Sequence, residues 1–417
     1  MNAIRARLSH KHTLMACYVG YLTQALIINF SPLLFVTFMS TYALSLSQTT
    51  LLISISFATQ LIVDLLSPHW IERIGYRPAV ITAHVCAMLG MVGLALLPAL
   101  LPSPMVGLCL ATVLGSIGGG IIEVIISPMA EACPTEQKRG TMSLLHSFYC
   151  WGHAGTVVLS TVFFLTIGIE HWRLLACLWA ILPALGVLAF CFVPIYRLPN
   201  EPPSADASAP RHPLRSKTFI VFFILMICAG ASEQAMSQWA STFAESALGV
   251  DKTLGDLLGP CAFALLMGIS RALYGTHSAK ISLRRFIVAS CALCVVSYLL
   301  AAFAPVPLIA LIGCALCGLS VGVLWPGTYS RASERLAGGG VTMFALLSFG
   351  GDVGCLVGPT LTGQVAAACG DDLRPAFVCA LIFPVLSIVL TLPDLLHTKK
   401  KKAAAAADNV INEREEH

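Results

Sequence analysis

Only 11% of the 417 residues are charged and 57% are hydrophobic. A water-soluble domain of this length needs about 25% charged residues to wet its surface, so that class is excluded. The formal net charge of +4 is modest, and its distribution is more informative than its size; no nucleic-acid partner is expected.

Apolar stretches of about 20 residues, each long enough to cross a bilayer, recur along nearly the whole chain. In order they fall at roughly 13–39, 48–68, 78–100, 104–130, 141–167 and 172–195. A second set follows at roughly 218–244, 254–276, 284–304, 307–332, 340–368 and 373–396. Twelve spans are predicted, and with them an all-α membrane protein. The first stretch is about 25 residues long, against 7–15 for the core of a cleavable signal peptide, so it is read as the first span.

The basic residues support the even count independently. Lys and Arg collect on the cytoplasmic side of membrane proteins. Alternate connections here hold Arg73, Arg77, Lys138, Arg139, Arg197, Lys280, Arg284, Arg331 and the run Lys399 to Lys402, whereas the others hold only Arg173, Lys252 and Arg374. Both termini and the central linker are therefore expected in the cytoplasm, in a multi-pass protein of the cell membrane.

Residues 196–217 form the one long polar interruption, rich in Pro and Ser, and divide the chain into 1–195 and 218–396. A linker of that composition is expected to be flexible. The remainder, 397–417, begins with lysines and alanines and is expected to be a disordered cytoplasmic tail. The two long halves repeat each other. Gly20, Gln24 and Ala25 of span 1 match Gly230, Gln234 and Ala235 of span 7, while Thr141, Met142, Ser147 and Phe148 of span 5 match Thr342, Met343, Ser348 and Phe349 of span 11. Both offsets are about half the chain. Two related six-helix halves imply a pseudo-two-fold axis along the membrane normal and a binding site between them at mid-depth.

These features resemble the major facilitator superfamily. The loop after span 2, with Glu72, Arg73, Gly75 and Arg77, is similar to its signature, although Pro68 stands at the first glycine position. The resemblance implies a gating role for this loop. Three segments further resemble the L-fucose:proton symporter group. These are Gly118-Gly-Gly-Ile-Ile-Glu123 to Pro128 in span 4, His146-Ser-Phe-Tyr-Cys-Trp-Gly152 in span 5, and Trp325-Pro-Gly-Thr328 in span 10. The group's span-5 Asn is Tyr149 here and its span-1 Asp has no counterpart, Asn29 being only a nearby polar residue. The resemblance thus implies a coupling acid at Glu123 but does not imply fucose.

Ionisable residues inside a span cost at least ~2.5–3.5 kcal/mol each, so each one asks for a reason. Five lie well inside: Asp64, Glu123, Glu233, Arg271 and Asp352. Four acids against one base leave excess negative charge, which a low-dielectric interior tolerates poorly; some acids are expected to carry protons. Proton coupling at Glu123, Glu233 and Asp352 would then need no cofactor. Asp64 and Arg271, each 13 residues before an arginine (Arg77 and Arg284), are read as gate or ion-pair residues together with Glu72, Arg73 and Arg77. Arg271 could alternatively anchor an anionic substrate, and Asp352 could pair with Arg271 or titrate.

Candidate substrate ligands are polar groups on the inward stripes. Gln234, Gln238 and Ser241 recur at i, i+4 and i+7 on span 7, with Gln24 and Ser31 mirroring them on span 1. His146, Tyr149, Cys150 and His153 share one face of span 5, and Trp325 offers a ring for stacking. Asn29 completes the set. Such side chains also serve as interhelical glue. The sixteen cysteines include Cys291-x-x-Cys294 and Cys314-x-x-Cys317, a spacing resembling a zinc site. Both pairs lie inside spans, where Cys behaves as a small hydrophobe, so packing is expected and no metal site. No nucleotide-binding loop or nucleophile motif is found, and no enzymatic activity is expected.

The expected function is proton-coupled symport of a small polar, sugar-like solute by a monomer. A proton-antiport exporter of a cationic or amphipathic compound and a non-transporting sensor on the same scaffold are the alternatives. Glu123→Gln is predicted to abolish pH-gradient-driven accumulation in proteoliposomes while leaving exchange partly intact; unchanged accumulation would remove Glu123 from the mechanism.

Overall fold

The computed structural model describes residues 8–135, 138–196, 216–277, 282–336 and 340–392. The linker and the tail lie outside these residues. The described chain is helical throughout, with eleven stretches long and apolar enough to cross a membrane. In chain order they are α1 (His10–Tyr42), α2 (helical over Leu46–Ile74), α3 (Tyr76–Leu100), α4 (Pro104–Ala132), α5 (helical over Lys138–Ile167) and α6 (Ile169–Phe192). The second half supplies α7 (Lys217–Ala247), α8 (Lys252–Tyr274), α9 (Leu283–Phe303), α10 (Pro307–Ala332) and α12 (Leu373–Leu392). The 29-residue helix α11 (Gly340–Ala368) completes the twelve. These bounds agree with the sequence-based spans to within a few residues, because a continuous apolar run of this length has no other way to satisfy its backbone in hydrocarbon.

Glycine decides how closely the helices pack. Cβ atoms added at Gly118 would run into the main chain of Ala83 and Ala87 on α3, and one at Gly120 would press on Val63 of α2. The Gly118–Gly120 run therefore lets α4 lie directly against α2 and α3, as small residues do between membrane helices. α11 uses the same device. A Cβ at Gly354 or Gly358 would strike the main chain of α7 at Ile227 or Ala231. In both halves an acid follows closely in sequence: Glu123 after Gly120, and Asp352 between Gly351 and Gly354.

Several helices are broken where they meet the other half. Pro32 opens α1 into a 3-10 turn over Ser31–Leu34. Both α7 and α8 contain π-helical turns, Phe243–Ala247 and Leu257–Cys261, the second holding Pro260. Such turns interrupt the regular ladder and re-aim neighbouring side chains. Cys291, Cys294, Cys314 and Cys317 are completely buried where α9 packs on α10. Among the described residues no group of three or more His, Cys, Asp or Glu is arranged to hold a metal ion.

The arginine of the loop between α2 and α3 has a role within its own half. Arg77 donates to the carbonyls of Phe190 at 2.5 Å, Cys191 at 3.0 Å and Val193 at 2.8 Å, closing the C-terminal end of α6. Charge at that end is favourable because the last carbonyls of a helix lack partners. Arg73 is exposed in the last turn of α2, and the side chain of Glu72 lies outside the described residues.

The packing makes a controlled prediction. Gly118→Ala should destabilise by about 1–3 kcal/mol through overpacking. Gly155→Ala, where an added Cβ meets nothing within 4 Å, should be neutral or slightly stabilising. Thermal unfolding of the two purified variants, followed by intrinsic fluorescence, checks the difference.

Candidate functional site

The two halves meet along two antiparallel helix pairs. On α2 and α11, Ser47 lies 3.4 Å from Gln364 and Ser54 lies 2.8 Å from Thr360, and Asp64 then faces Asp352. Rising numbers on one helix meet falling numbers on the other. On α5 and α8, Phe164 lies beside Lys252, the His153 ring is 6.4 Å from that of Phe263, and Cys150 meets Arg271.

On the N-terminal side, Gln24 Nε2 donates to Glu123 Oε2 at 2.7 Å. One turn along α4, the hydroxyls of Ser127 and Tyr21 lie 2.8 Å apart, and Tyr21 also approaches His146 Nδ1 at 3.4 Å. The Gln24 Oε1 atom is buried without a hydrogen-bond partner. A buried acceptor of this kind costs on the order of 1–3 kcal/mol unless something donates to it. Asn29 spends its Nδ2 proton on the carbonyl of Ala25 in its own helix, 2.8 Å away. The Tyr149 hydroxyl is directed at Asn29.

On the C-terminal side, polar groups form a chain along α7. Gln238 Nε2 donates to Gln234 Oε1 at 3.1 Å, and Gln234 Nε2 donates to Glu233 Oε1 at 3.2 Å. Glu233 Oε2 lies 3.8 Å from Arg271 Nη2. Arg271 bridges further, from Nε to the carbonyl of Gly322 at 3.3 Å and from Nη1 to Cys150 Sγ of the other half at 3.5 Å. The Gly322 carbonyl is free for this because α10 breaks between Val321 and Leu324. Trp325 begins the next turn and packs against Gly351, where even a Cβ would strike its ring. Tyr329 donates to or accepts from Ser348 at 2.5 Å.

Asp352 does not meet Arg271; it faces Asp64. Both Asp64 carboxyl oxygens are buried, and apart from the Asp352 carboxyl no hydrogen-bonding group reaches them among the described residues. Two carboxylates in contact repel, so the pair is stable only when one carries a proton and donates it to the other.

Exposure is graded along these helices. On α5, His146 is exposed and Tyr149 half-buried, whereas Cys150 and His153 are 1% and 2% exposed. Glu123, Asp352 and Arg271 are partly accessible, while Gln24, Gln234 and Gln238 are buried. The cleft thus opens towards the side where α1 begins and α12 ends and closes towards the other.

A charged cluster that the sequence reading did not find lies at the closed end. Lys252 Nζ donates to the carbonyl of Leu33 in the α1 turn at 2.6 Å, crossing between halves. It also lies 3.1 Å from Asp256 Oδ2 and 3.5 Å from Glu245 Oε2, with the Phe164 ring 5.9 Å away. The i, i+4 spacing of Lys252 and Asp256 was the available signal; its position in a loop on the sparsely charged side masked it. Lys252→Gln should weaken this closure. A Cys placed at Ser54 is expected to react about tenfold faster with an impermeant thiol reagent applied from the closed side, as loss of one charge-assisted hydrogen bond implies.

Comparison with known proteins gives a consistent picture. The family model described as Major Facilitator Superfamily matches residues 16–359 and 261–413. The membrane protein MosC of Rhizobium meliloti is 26% identical over 280 residues, covering 67% of this chain and 66% of that protein. Among solved structures, the D-xylose-proton symporter superposes with a TM-score of 0.73 at 14% identity, covering 91% of this chain and 95% of that one. A bacterial homologue of the human lysosomal transporter Spinster, in an inward-facing and occupied conformation, gives 0.71 at 15% identity over 92% and 96%. The E. coli fucose:proton symporter gives 0.64 at 14% identity over 92% and 98%. At these identities the likeness establishes the fold alone.

Proposed function

Because this chain belongs to the Major Facilitator Superfamily, and is therefore a multi-pass membrane transporter, we propose that it performs proton-coupled symport of a small polar solute by alternating access. Both termini are assigned to the cytoplasm on the strength of the basic loops, the open cleft then facing inward, and the working unit is the monomer.

The observation that carries this reading is the Asp64–Asp352 contact. One acid comes from each half, so the proton that holds them together is a bond between the halves. Loss of that proton leaves two like charges facing each other, a repulsion that favours separation of α2 from α11. Glu123, held to Gln24, and Glu233, held to Arg271, lie in the same cleft and complete the proton-handling set. No cofactor is needed in this scheme.

The solute is assigned to the space between Gln24 and the Gln234–Gln238 chain, with His146, Tyr149 and Trp325 at its margin. Gln24 offers a carbonyl oxygen with no donor of its own, which suits a hydroxyl or N–H of the solute. Solutes rich in hydroxyls, such as the sugars of the D-xylose-proton and fucose:proton symporters that share this fold, fit this acceptor.

The test is flux in proteoliposomes, after a thermal-shift screen of sugars, nucleosides, amino acids and organic cations has identified a ligand. Solute entry is expected to carry protons in the same direction. Asp352→Asn should lower pH-driven accumulation at least about tenfold while counterflow of labelled solute persists, because an amide holds the pair together without a titrating proton. Protons moving opposite to the solute would make the protein an exporter, and binding without flux would make it a sensor.

A further inference from the structure

Beside the Asp64–Asp352 pair stands a polar group that nothing yet described employs. Gln60 lies one helical turn before Asp64 on α2, at the i, i+4 spacing that puts both side chains on one face of the helix. It is 4% exposed, and its Nε2 atom is buried without a hydrogen-bond partner. A buried amide N–H left idle carries a desolvation cost that one acceptor would remove. The acceptors one turn away are the Asp64 oxygens, which are themselves met only by Asp352 among the described residues.

The surroundings leave the amide room to reach them. Where α4 runs along this part of α2 it carries glycines. A Cβ at Gly120 would lie 3.3 Å from the Gln60 Cα, and one at Gly119 would lie 3.9 Å from Gln60 Oε1. The amide therefore lies against a stretch of α4 without side chains, and rotation of its χ angles needs no movement of that helix.

Asp352 is not provided for in the same way. One turn before it on α11 stands Ser348, whose hydroxyl is engaged with Tyr329 at 2.5 Å. Among the described residues, the charged groups that face Asp64 are Asp352 of α11 and Glu123 of α4. Both are acids, so neither can neutralise it. A carboxylate left in a low-dielectric interior needs donors. When the pair opens, Asp64 is the member with a donor one turn away.

We propose that Gln60 is the positioning residue of this pair: as α2 and α11 part, its amide turns onto Asp64 and donates Nε2–H to the carboxylate. The inference rests on the proton reading of the pair given above, and adds which acid keeps the charge and what holds it. While the pair is closed, the shared proton satisfies Asp64 and the amide stays idle. Once the proton has left, the amide takes its place. A hydrogen bond to an ionised group is about twice as strong as one between neutral groups, so the exchange favours the open state.

The test follows the infrared C=O band of protonated carboxyls against pH in the purified full-length protein, and needs no solute. The component missing from the double variant Asp64→Asn, Asp352→Asn belongs to the pair. Gln60→Met keeps the length of the side chain but has no N–H. It is expected to move the midpoint of that component to higher pH by about one unit, a tenfold change in proton affinity, as loss of a hydrogen bond to a charged group implies. Ser56→Ala is the control for disturbed packing, since it removes a hydroxyl one turn before Gln60 that lies 2.8 Å from that of Ser116 on α4. Its midpoint should match the wild type. An unchanged midpoint in Gln60→Met overturns the proposal, and so does an equal shift in Ser56→Ala. A wild-type spectrum in which no component of the pair titrates would instead remove the proton reading of the pair itself, and the proposal with it.

Discussion

Four carboxyl groups share one cleft with a single guanidinium, and the rest of the architecture is arranged around that imbalance. Unpaired charge is costly away from water, so each acid needs an answer. Glu233 is answered by Arg271, Glu123 by the amide of Gln24, and Asp64 and Asp352 by each other. The last answer differs in kind, because it requires a proton from outside the protein. A pair built this way links the protonation of the cleft to the contact between the halves. On the proposed reading, this linkage is what converts a proton gradient into movement of a solute.

The helices that carry these groups are placed by the absence of side chains. Gly118 to Gly120 bring α4 onto α2 and α3, Gly354 and Gly358 bring α11 onto α7, and Gly351 makes room for Trp325 of α10. In membranes there is little hydrophobic drive between helices, so close van der Waals contact at small residues supplies the cohesion. The same closeness fixes the position of the acid that follows each glycine run. Helix breaks do complementary work. The turn at Pro32 offers the Leu33 carbonyl to Lys252, and the break after Val321 offers the Gly322 carbonyl to Arg271. In each case a cation of the C-terminal half meets main chain released from regular helix.

Charge also ties the halves together away from the cleft. At the closed end, Lys252 sits between Asp256 and Glu245, one cation against two acids, and reaches across to the other half.

Much of the fold was legible in the sequence. A run of about 20 apolar residues can only be a spanning helix, so all twelve helices and their limits followed from hydropathy, and the even count from the placement of Lys and Arg. The five intramembrane charges were also legible, because each stands out against hydrocarbon. Partners were not. Periodicity tells which face of a helix a residue occupies, but not which helix lies opposite or at what depth. Thus the carbonyls that Arg77 meets at the end of α6, and the bridge that Lys252 at the start of α8 makes to the other half, were not legible. Asp352 and Asp64 lie nearly three hundred residues apart in sequence. Only the antiparallel packing of α2 on α11, marked by contacts such as Ser54 with Thr360 that hydropathy does not register, decided that they would meet.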